Sequence, residues 1–291
     1  MRNMRKVLRD MFKDGEIYTA PSVFEGLGAL IAESVGFPVL HITGNGLSAS
    51  SIGMPDYGLM SMNEVVAGHR RIAGMVNVPV IGDADTGYGG TLNVYRTIRE
   101  FEQSGVAAVH LEDQTSPKRC AYYTGDMKII SAEEFSIKIK TAISARSDPS
   151  FMIIARTDAY RPYGLAETIE RCRHYARAGA DALFVVGITS LDDIRAIRQA
   201  TALPLVVNCN DGDGLALISL ETMKEAGVKM ILYPATVRSA MIRGVENVLK
   251  VLKEKGSTRD VLDKLAPISD LNKLNRLSYY QELERSLEGR P

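Results

Sequence analysis

The stretch "EQSGVAAVHLEDQ", Glu102 to Gln114, contains one complete transition from a helix end to a buried strand. Gly105 stands where the C-cap of a helix would fall, an apolar run follows, and the run ends in the polar triplet "EDQ". A strand that does not alternate between apolar and polar residues is buried on both faces. This pattern is typical of a parallel sheet covered by helices.

The same unit recurs along the whole chain. Its apolar runs are "FPVLHIT", "VPVIGDA", "FMIIART", "DALFVVG", "LPLVVN" and "VKMILYP", with a weaker member in "EIYTAP", and glycines in "AESVGFP", "ARAGADA" and "KEAGVKM" precede the next strand in the same way. About eight strand–helix units in one chain, without a Pro- or Ser-rich linker, predict a closed TIM-type (β/α)8 barrel. The alternative is a pair of α/β halves.

We expect a single domain over residues 1–291. Its parts are an N-terminal helix (1–15), the barrel (16–256) and a C-terminal helical extension (257–291). Leu and Tyr recur at helical spacing in this extension, so its apolar face requires a partner, for which another subunit is the natural candidate.

The composition excludes several functional classes. The chain has 35 basic and 35 acidic residues, so its net charge attracts neither nucleic acid nor an anionic membrane. It contains no signal-peptide pattern and no run of roughly 18 apolar residues, which predicts a cytoplasmic protein without a membrane partner. Three cysteines without a CxxC pair predict free thiols.

Active sites of such barrels lie at the carboxyl ends of the strands, where this chain places polar residues. These strand ends are "TGNG" (43–46), "DADTG" (83–87), "EDQ" (112–114), "RTD" (156–158) and "NCND" (208–211). Carboxylates at Asp83, Asp85 and Glu112 suit Mg²⁺ or Mn²⁺ better than Zn²⁺. The planar guanidinium of Arg156 can donate two parallel hydrogen bonds to a substrate carboxylate or phosphate. The alternative is that the two aspartates only cap the next helix and bind turn amides.

The segment "EDQTSPKRCAYYTGDMKIIS" (112–131) is too long for a tight barrel loop and is typical of a lid. Cys120 follows Lys118 and Arg119, which should stabilise its thiolate and make its proton labile. A lid that carries an acid can exclude water and protonate a carbanion. Cys172 and Cys209 are expected to be packing residues.

Four motifs, "DADTGYGG", "LEDQ…PKRC", "IIARTDA" and "LYP", resemble the isocitrate lyase and phosphoenolpyruvate mutase superfamily, especially its short branch of methylisocitrate lyase-like and 2,3-dimethylmalate lyase-like enzymes. The resemblance extends from about Pro21 to Val251. It implies a magnesium-dependent barrel in a homotetramer, in which the last barrel helix is exchanged between subunits.

The resemblance also implies roles for individual residues. Asp83 would bind the metal, while Asp85, Glu112 and Asp56 would hold its water ligands. Thr43, Gly44 and Asn45 would hold a 2-oxo acid, Arg156 would bind its carboxylate, and Cys120 matches the lyase cysteine. The glycines of "DADTGYGG" would let the substrate lie against the backbone.

The chain departs from the lyase pattern in the half of the site that would hold the rest of the substrate. It has "KRCAYY" in place of "KRCGH", "VVG" with Val186 in place of "PEA", and "NCNDGDG", with Asn208 and Asn210, in place of "NMTEFG". His41 stands where tyrosine is common; it is either a catalytic base or a core histidine, and Glu112 is the other candidate base.

The resemblance therefore implies a retro-aldol carbon–carbon lyase acting on a 2-hydroxy di- or tricarboxylate. An oxaloacetate decarboxylase or hydrolase and a phosphonopyruvate or phosphoenolpyruvate phosphonomutase-type enzyme are the alternatives. A non-catalytic metabolite-binding barrel is a third, against which Asp83, Asp85, Glu112, Arg156 and Cys120 together count.

Overall fold

The computed structural model describes residues 3–120, 122–123, 127–212 and 214–289. Residues 1–2 and 290–291 of the predicted terminal segments lie outside this range, as do Ala121 and Asp213 of the two divergent motifs. Eight parallel strands form a closed barrel in the order of the sequence, which confirms the predicted TIM-type fold.

Every apolar run identified in the sequence contains one strand. The strands are β1 (Tyr18–Val23), β2 (Leu40–Ile42), β3 (Val80–Asp83), β4 (Ala108–Glu112), β5 (Met152–Thr157), β6 (Ala182–Val185), β7 (Leu205–Asn208) and β8 (Val228–Tyr233). The parallel register pairs Asp83 with His110 and Glu112 with Arg156. The carboxyl ends of β3, β4 and β5 therefore bring their polar side chains to one rim.

Helices surround the barrel and continue beyond it. They are α1 (Met4–Met11), α2 (Gly26–Val35), α3 (Gly44–Ile52), α4 (Met62–Ala73), α5 (Thr91–Gln103), α6 (Ala132–Ala145), α7 (Tyr160–Arg177), α8 (Leu191–Ala200), α9 (Leu220–Glu225), α10 (Thr236–Lys255), α11 (Ile268–Leu274) and α12 (Leu277–Leu287), with 3₁₀ helices at Gly214–Leu217 and Arg259–Lys264. In the described part of the chain, none of them is long and apolar enough to cross a membrane.

The two ends of the barrel differ in chemistry. Helix α1 contributes Leu8, Met11 and Phe12 to a buried apolar cluster with residues inside the barrel, such as Ala108 and Met152. Burial of these side chains closes the end at which the strands begin. The opposite end, where the strands finish, holds the polar side chains and the cavity described below.

The C-terminal helices present a large apolar surface. Helix α10 has no buried residue, and its exposed side chains include Met241, Ile242, Val245 and Leu249. The segments that follow expose further large apolar side chains, namely Leu262, Leu265, Ile268, Leu271, Leu277, Tyr279, Tyr280, Leu283 and Leu287. A surface of this extent is unusual for a monomer and is typical of an association surface.

Candidate active site

A cavity of about 400 Å³ opens at the carboxyl ends of the strands. It brings together most of the residues that the sequence predicted. Those that line it are His41, Thr43, Asn45, Asp56, Asp83, Lys118, Cys120, Arg156, Asn208 and Asn210, whereas Gly44, Asp85, Glu112 and Arg119 do not. We call the part around Asp83 and Arg156 the charged half, and the part around Phe184 and Val186 the apolar half.

Asp83 ends β3 and points its carboxylate into the cavity. Its Oδ1 accepts a hydrogen bond of 3.1 Å from the backbone N–H of Asp85, and its Oδ2 accepts one of 3.2 Å from that of Gly44. Helix α5 begins only at Thr91, after the cap residue Gly90, so the aspartates do not cap it. The helix-capping part of this alternative is therefore wrong, whereas Asp83 does bind the amide of the turn residue Asp85.

The glycines of "DADTGYGG" have a different role from the one the resemblance implied. Gly87 and Gly89 have φ values of +84° and +142°, and a β-carbon there would lie 2.6 Å from Val94 and from Asn93, respectively. The glycines thus allow the turn to pack against α5, and they do not line the cavity. Gly44 fits the implied role better, because a β-carbon at Gly44 would lie 2.7 Å from Oδ2 of Asp83.

A buried lysine lies among the carboxylates. The Nζ atom of Lys118 is 2.7 Å from Oδ2 of Asp56 and 2.8 Å from Oδ1 of Asp85. Burial raises the pKa of the Asp85 carboxyl to about 6, and Lys118 only partly opposes this. Burial also disfavours the charge of Asp83, but the positive charges of Lys118 and Arg156 outweigh it and hold the pKa of Asp83 below its ordinary value. Asp83 is therefore ionised at neutral pH.

Glu112 and Arg156 form a buried ion pair at the ends of β4 and β5. Nη1 of Arg156 is 2.9 Å from Oε2 of Glu112, and Nη2 of Arg156 donates a hydrogen bond of 3.2 Å to Asp158. Among the described residues, neither oxygen of Glu112 accepts a hydrogen bond of good geometry. Burial raises the pKa of Glu112 well above its ordinary value. Apart from the ion pair with Arg156, the Glu112 oxygens can therefore accept a hydrogen bond from a water or contact a cation.

The carboxylates fit magnesium held largely through water. Over the described ranges, which omit 121, 124–126 and 213, no three His, Cys, Asp or Glu side chains form a direct ligand cluster. Mg²⁺ usually keeps several waters and binds one or two carboxylates directly. The oxygens of Glu112 can accept hydrogen bonds from such waters. The contacts of the Lys118 ammonium with Asp56 and Asp85 show that these two carboxylates attract positive charge.

Cys120 lines the cavity, but its thiol is not acidified as the sequence predicted. Burial raises the pKa of the Cys120 thiol above its ordinary value; Asp56 adds to this effect, and Lys118 opposes it too weakly. The prediction failed because Lys118 is neutralised by two carboxylates, while the exposed Arg119 lies over the ring of Tyr57, 5.7 Å from its centroid. The thiol is thus protonated at neutral pH.

Three histidines lie buried beside Asp83. Nδ1 of His41 is 2.7 Å from Oγ of Ser22 and its Nε2 is 2.9 Å from Nε2 of His110, whose Nδ1 lies 3.6 Å from Oδ1 of Asp83. His69 accepts the backbone N–H of Asp83 at 3.1 Å and contacts the carbonyl oxygen of Val65 at 2.8 Å. Burial lowers the pKa of His41 and His69 to about 4. His41 is thus a neutral histidine with both ring nitrogens engaged, although it lines the cavity.

Two tyrosines of the predicted lid reach across the mouth. The hydroxyl of Tyr123 accepts hydrogen bonds of 3.0 Å from the Asn45 side chain and from the backbone of Asp56. The hydroxyl of Tyr122 accepts one from the Asn208 side chain. These contacts hold the described lid residues over the cavity.

The apolar half adjoins the charged half, because the ring of Phe184 lies under the guanidinium of Arg156. Its walls are Phe184, Val186, Leu232 and Pro234, from the ends of β6 and β8, and the first three are at least 95% buried. Arg238 of α10 stands at the edge of this half and donates a hydrogen bond to Oδ1 of Asn45. The replacement at Val186 that the sequence revealed therefore lies in the cavity wall.

Sequence reasoning missed several lining residues. They are His110, Tyr122, Tyr123, Phe184, Leu232, Pro234, Ala235 and Arg238. His110 could have been found from the strand alternation, because it is two residues before Glu112 and so points to the same interior. Arg238 gives no such signal, since it reads as an ordinary helix residue.

Comparison with known proteins agrees with this geometry. The model of the phosphoenolpyruvate phosphomutase family matches residues 8–253. The chain belongs to this family. Two relatives in it are lyases: the 2-methylisocitrate lyase of Aeropyrum pernix, 39% identical over 89% of this chain and 83% of the relative, and the 2,3-dimethylmalate lyase of Eubacterium barkeri, 34% identical over 98% of both.

A solved structure of the same superfamily is also similar over its whole length. It is an oxaloacetate acetylhydrolase in complex with the inhibitor 3,3-difluorooxalacetate, with a TM-score of 0.91 and 31% identity over 99% of this chain and 98% of the other. The lyase relatives support a carbon–carbon lyase, and the hydrolase shows how close the alternative chemistry lies. A second solved structure, of a phosphonopyruvate hydrolase in complex with oxalate and Mg²⁺, has a TM-score of 0.86 and 28% identity over 99% of both chains.

Proposed function

We propose that the protein is a magnesium-dependent carbon–carbon lyase that cleaves a 2-hydroxy di- or tricarboxylate by retro-aldol chemistry. The observation that supports this most directly is one cavity that holds an ionised Asp83, a guanidinium at Arg156 and a protonated thiol at Cys120. Cleavage to a 2-oxo acid and a second carboxylate needs a group for each of these tasks: charge stabilisation, carboxylate binding and proton donation.

The carboxylates would hold the metal. Asp83 would bind it directly, while Asp85, Glu112 and Asp56 would hold its water ligands; Mn²⁺ could replace Mg²⁺. When bound, such a cation stabilises the negative charge that develops on the 2-oxygen during cleavage. Lys118 already contacts two of these carboxylates, so its ammonium contributes positive charge at the same place.

Arg156 would bind the carboxylate next to the reacting carbon. The ring of Phe184 lies under its guanidinium, 5.6 Å from ring centroid to Cζ, and Asp158 fixes it from the side. Thr43, Gly44, Asn45, Asn208 and Asn210 would complete substrate binding. Loss of the 2-hydroxyl proton to a base converts this end of the substrate into the 2-oxo acid. Of the two candidate bases, His41 has both ring nitrogens engaged, and Glu112 does not line the cavity, so Glu112 would act through a water.

Cys120 would protonate the other fragment. The electron pair of the broken carbon–carbon bond stays on the carbon next to the second carboxylate, which leaves as an enolate. The raised pKa of the thiol favours this role, because a donor must carry its proton at the working pH. Tyr122 and Tyr123 would exclude water from the carbanion while the lid is closed.

The apolar half favours an alkyl substituent on the substrate. Phe184, Val186 and Leu232 offer no hydrogen bond to a third carboxylate, and an unpaired charge against such a wall is costly. Arg238 contacts the neutral amide of Asn45 and is available to the second carboxylate. A substituted malate such as 2,3-dimethylmalate therefore fits better than a tricarboxylate.

A substrate screen tests the proposed function. We expect 2,3-dimethylmalate with MgCl₂ to give pyruvate and propionate by NMR, faster than 2-methylisocitrate gives pyruvate and succinate. Oxaloacetate serves as the comparison for the hydrolase alternative. Turnover of oxaloacetate alone, with no cleavage of either hydroxy acid, would contradict the lyase.

We also propose a homotetramer in which helices of the C-terminal segment pack on neighbouring subunits. The exposed apolar side chains of α10, α11 and α12 support this. Light scattering should give four times the chain mass, and deletion of the residues after Gly256 should give smaller or aggregated particles. A truncated protein with an unchanged particle mass would contradict this arrangement.

A further inference from the structure

A buried glutamine connects the lid to the arginine that would bind the substrate carboxylate. Gln114 follows β4 at the base of the lid and is 2% exposed. Its Oε1 accepts a hydrogen bond of 2.9 Å from the backbone N–H of Arg119, and its Nε2 donates one of 3.2 Å to Oδ2 of Asp158. The other carboxylate oxygen of Asp158 accepts from Arg156 at 3.2 Å.

These contacts form a continuous chain from Arg156 to the backbone N–H of Arg119, the residue before Cys120. The peptide that joins Arg119 to Cys120 is held separately, because the backbone N–H of Cys120 donates to the carbonyl oxygen of Asp56 at 3.1 Å. The backbone just before the thiol thus has two anchors. The one through Asp56 leads to the carboxylates that would hold the metal, and the one through Gln114 leads to Arg156.

We propose that Gln114 is a positioning residue that couples carboxylate binding at Arg156 to the placement of the Cys120 thiol. An incoming carboxylate competes with Asp158 for the guanidinium, so the hydrogen bonds of Asp158 must adjust. Gln114 transmits that adjustment to the Arg119 peptide. The inference rests on the proposed function, because it takes Arg156 and Cys120 as the groups that meet the substrate.

The side-chain chemistry at this position is narrowly defined. The neutral amide accepts from the Arg119 N–H and donates to Asp158 at the same time. An ionised glutamate keeps the shape but presents a second acceptor to Asp158, which repels it, so this variant is assayed at a pH at which the glutamate is ionised. A leucine keeps the approximate size and makes neither bond. In a buried site both changes remove the connection, and misplacement of a reacting group by about 1 Å can cost 10²-fold in rate.

The test uses Gln114→Leu and Gln114→Glu, with Gln199→Leu on the exposed face of α8 as the matched control. Oxalate, a planar mimic of the 2-oxo acid enolate, is the probe, and its affinity is measured by calorimetry with MgCl₂. The rate at which iodoacetamide alkylates Cys120 is measured by peptide mass spectrometry with and without oxalate. Thermal melting of each variant reports whether it is folded. If the leucine variant does not fold, the same measurements on the glutamate variant provide the test.

In the wild type and in Gln199→Leu, saturating oxalate should slow alkylation at least about tenfold, because the closed lid covers the thiol. In the Gln114 variants, oxalate should bind within about threefold of the wild-type affinity, yet alkylation should slow less than about twofold, and kcat should fall about 10²-fold. A residue with only a structural role would change binding and protection together.

Two results would overturn the coupling: full protection by oxalate in both folded Gln114 variants, or a wild-type protein that binds oxalate without protecting Cys120. Failure of the proposed function looks different. In that case no hydroxy acid is cleaved and the wild type binds no oxalate in the presence of magnesium, so there is no carboxylate binding at Arg156 to transmit.

Discussion

The two halves of the cavity differ in how strongly their residues are constrained. In the charged half, Lys118 and Arg156 each pair with a carboxylate, and Asp83 lies 3.6 Å from His110. In the apolar half, Val186 and Leu232 pack against the barrel interior, and Phe184 also lies under the guanidinium of Arg156. A charge network changes only at a high cost in free energy, whereas an apolar wall tolerates substitution of similar volume. The first half is thus suited to the reaction, and the second to substrate choice.

The largest effect should come from the charged half. Asp83→Ala should reduce kcat/KM at least about 10³-fold, since both metal binding and charge stabilisation depend on this carboxylate. EDTA should abolish turnover of the wild type, and Mg²⁺ or Mn²⁺ should restore it. Asp192→Ala on the exposed surface of α8 is the control, because that side chain is 90% exposed. Full activity in excess chelator would contradict the dependence of the charged half on a metal.

The next largest effect should come from Cys120. Cys120→Ser should lower kcat by about 10² to 10⁴, because a hydroxyl is a far weaker acid than a thiol, while oxalate affinity should change little. The raised pKa of the thiol also predicts a pH dependence. The rate of alkylation by iodoacetamide should continue to rise at pH values above the ordinary thiol pKa, because the Cys120 thiolate forms only at a higher pH. A serine variant with most of the wild-type rate would favour the decarboxylase or hydrolase alternative.

A smaller and more selective effect is expected in the apolar half. Val186→Glu should reduce kcat/KM for 2,3-dimethylmalate about 10- to 100-fold relative to the wild type, because the alkyl substituent would meet a carboxylate instead of an apolar wall. Val186→Thr keeps the shape of the side chain and should give a smaller loss. Steady-state kinetics checks this. An unchanged kcat/KM in the glutamate variant would show that the apolar half does not select.

The smallest effect should come from Arg119. This side chain is exposed and lies over Tyr57, outside the cavity, so Arg119→Ala should change kcat/KM less than about fivefold. Lys118→Ala should lose much more, because its ammonium lies between Asp56 and Asp85. Equal losses in the two variants would contradict the assignment of Lys118 alone to the charged half.

The sequence predicts the barrel and its rim well for a physical reason. Parallel strands in sequence order bring their carboxyl ends to one side, so "DADTG", "EDQ" and "RTD" had to meet once the strands were located. Val186 could be placed in the cavity for the same reason, since it directly follows β6.

What the sequence could not predict depends on side-chain direction and burial. Lys118 and Arg119 are neighbours in the chain, yet one points inward and the other outward, so their proximity to Cys120 in sequence gave the wrong pKa. Arg238 enters the site from the first turn of α10, where nothing in its sequence neighbourhood marks it. The coupling through Gln114 depends on contacts with Arg119 and Asp158 that no local pattern encodes.

The row of buried neutral histidines also sets how the protein responds to acid. His41 and His69 have a folded-state pKa of about 4, against 6.5 when the chain is unfolded, so the unfolded chain binds more protons between these values. The contribution of each of these histidines to the free energy of unfolding should therefore decrease as the pH falls from 6.5 towards 4, by up to roughly 3 kcal/mol. The raised pKa of Asp85 opposes this loss over the same range, so the uncharged imidazoles beside Asp83 make the fold sensitive to acid only to the extent that they outweigh that carboxyl.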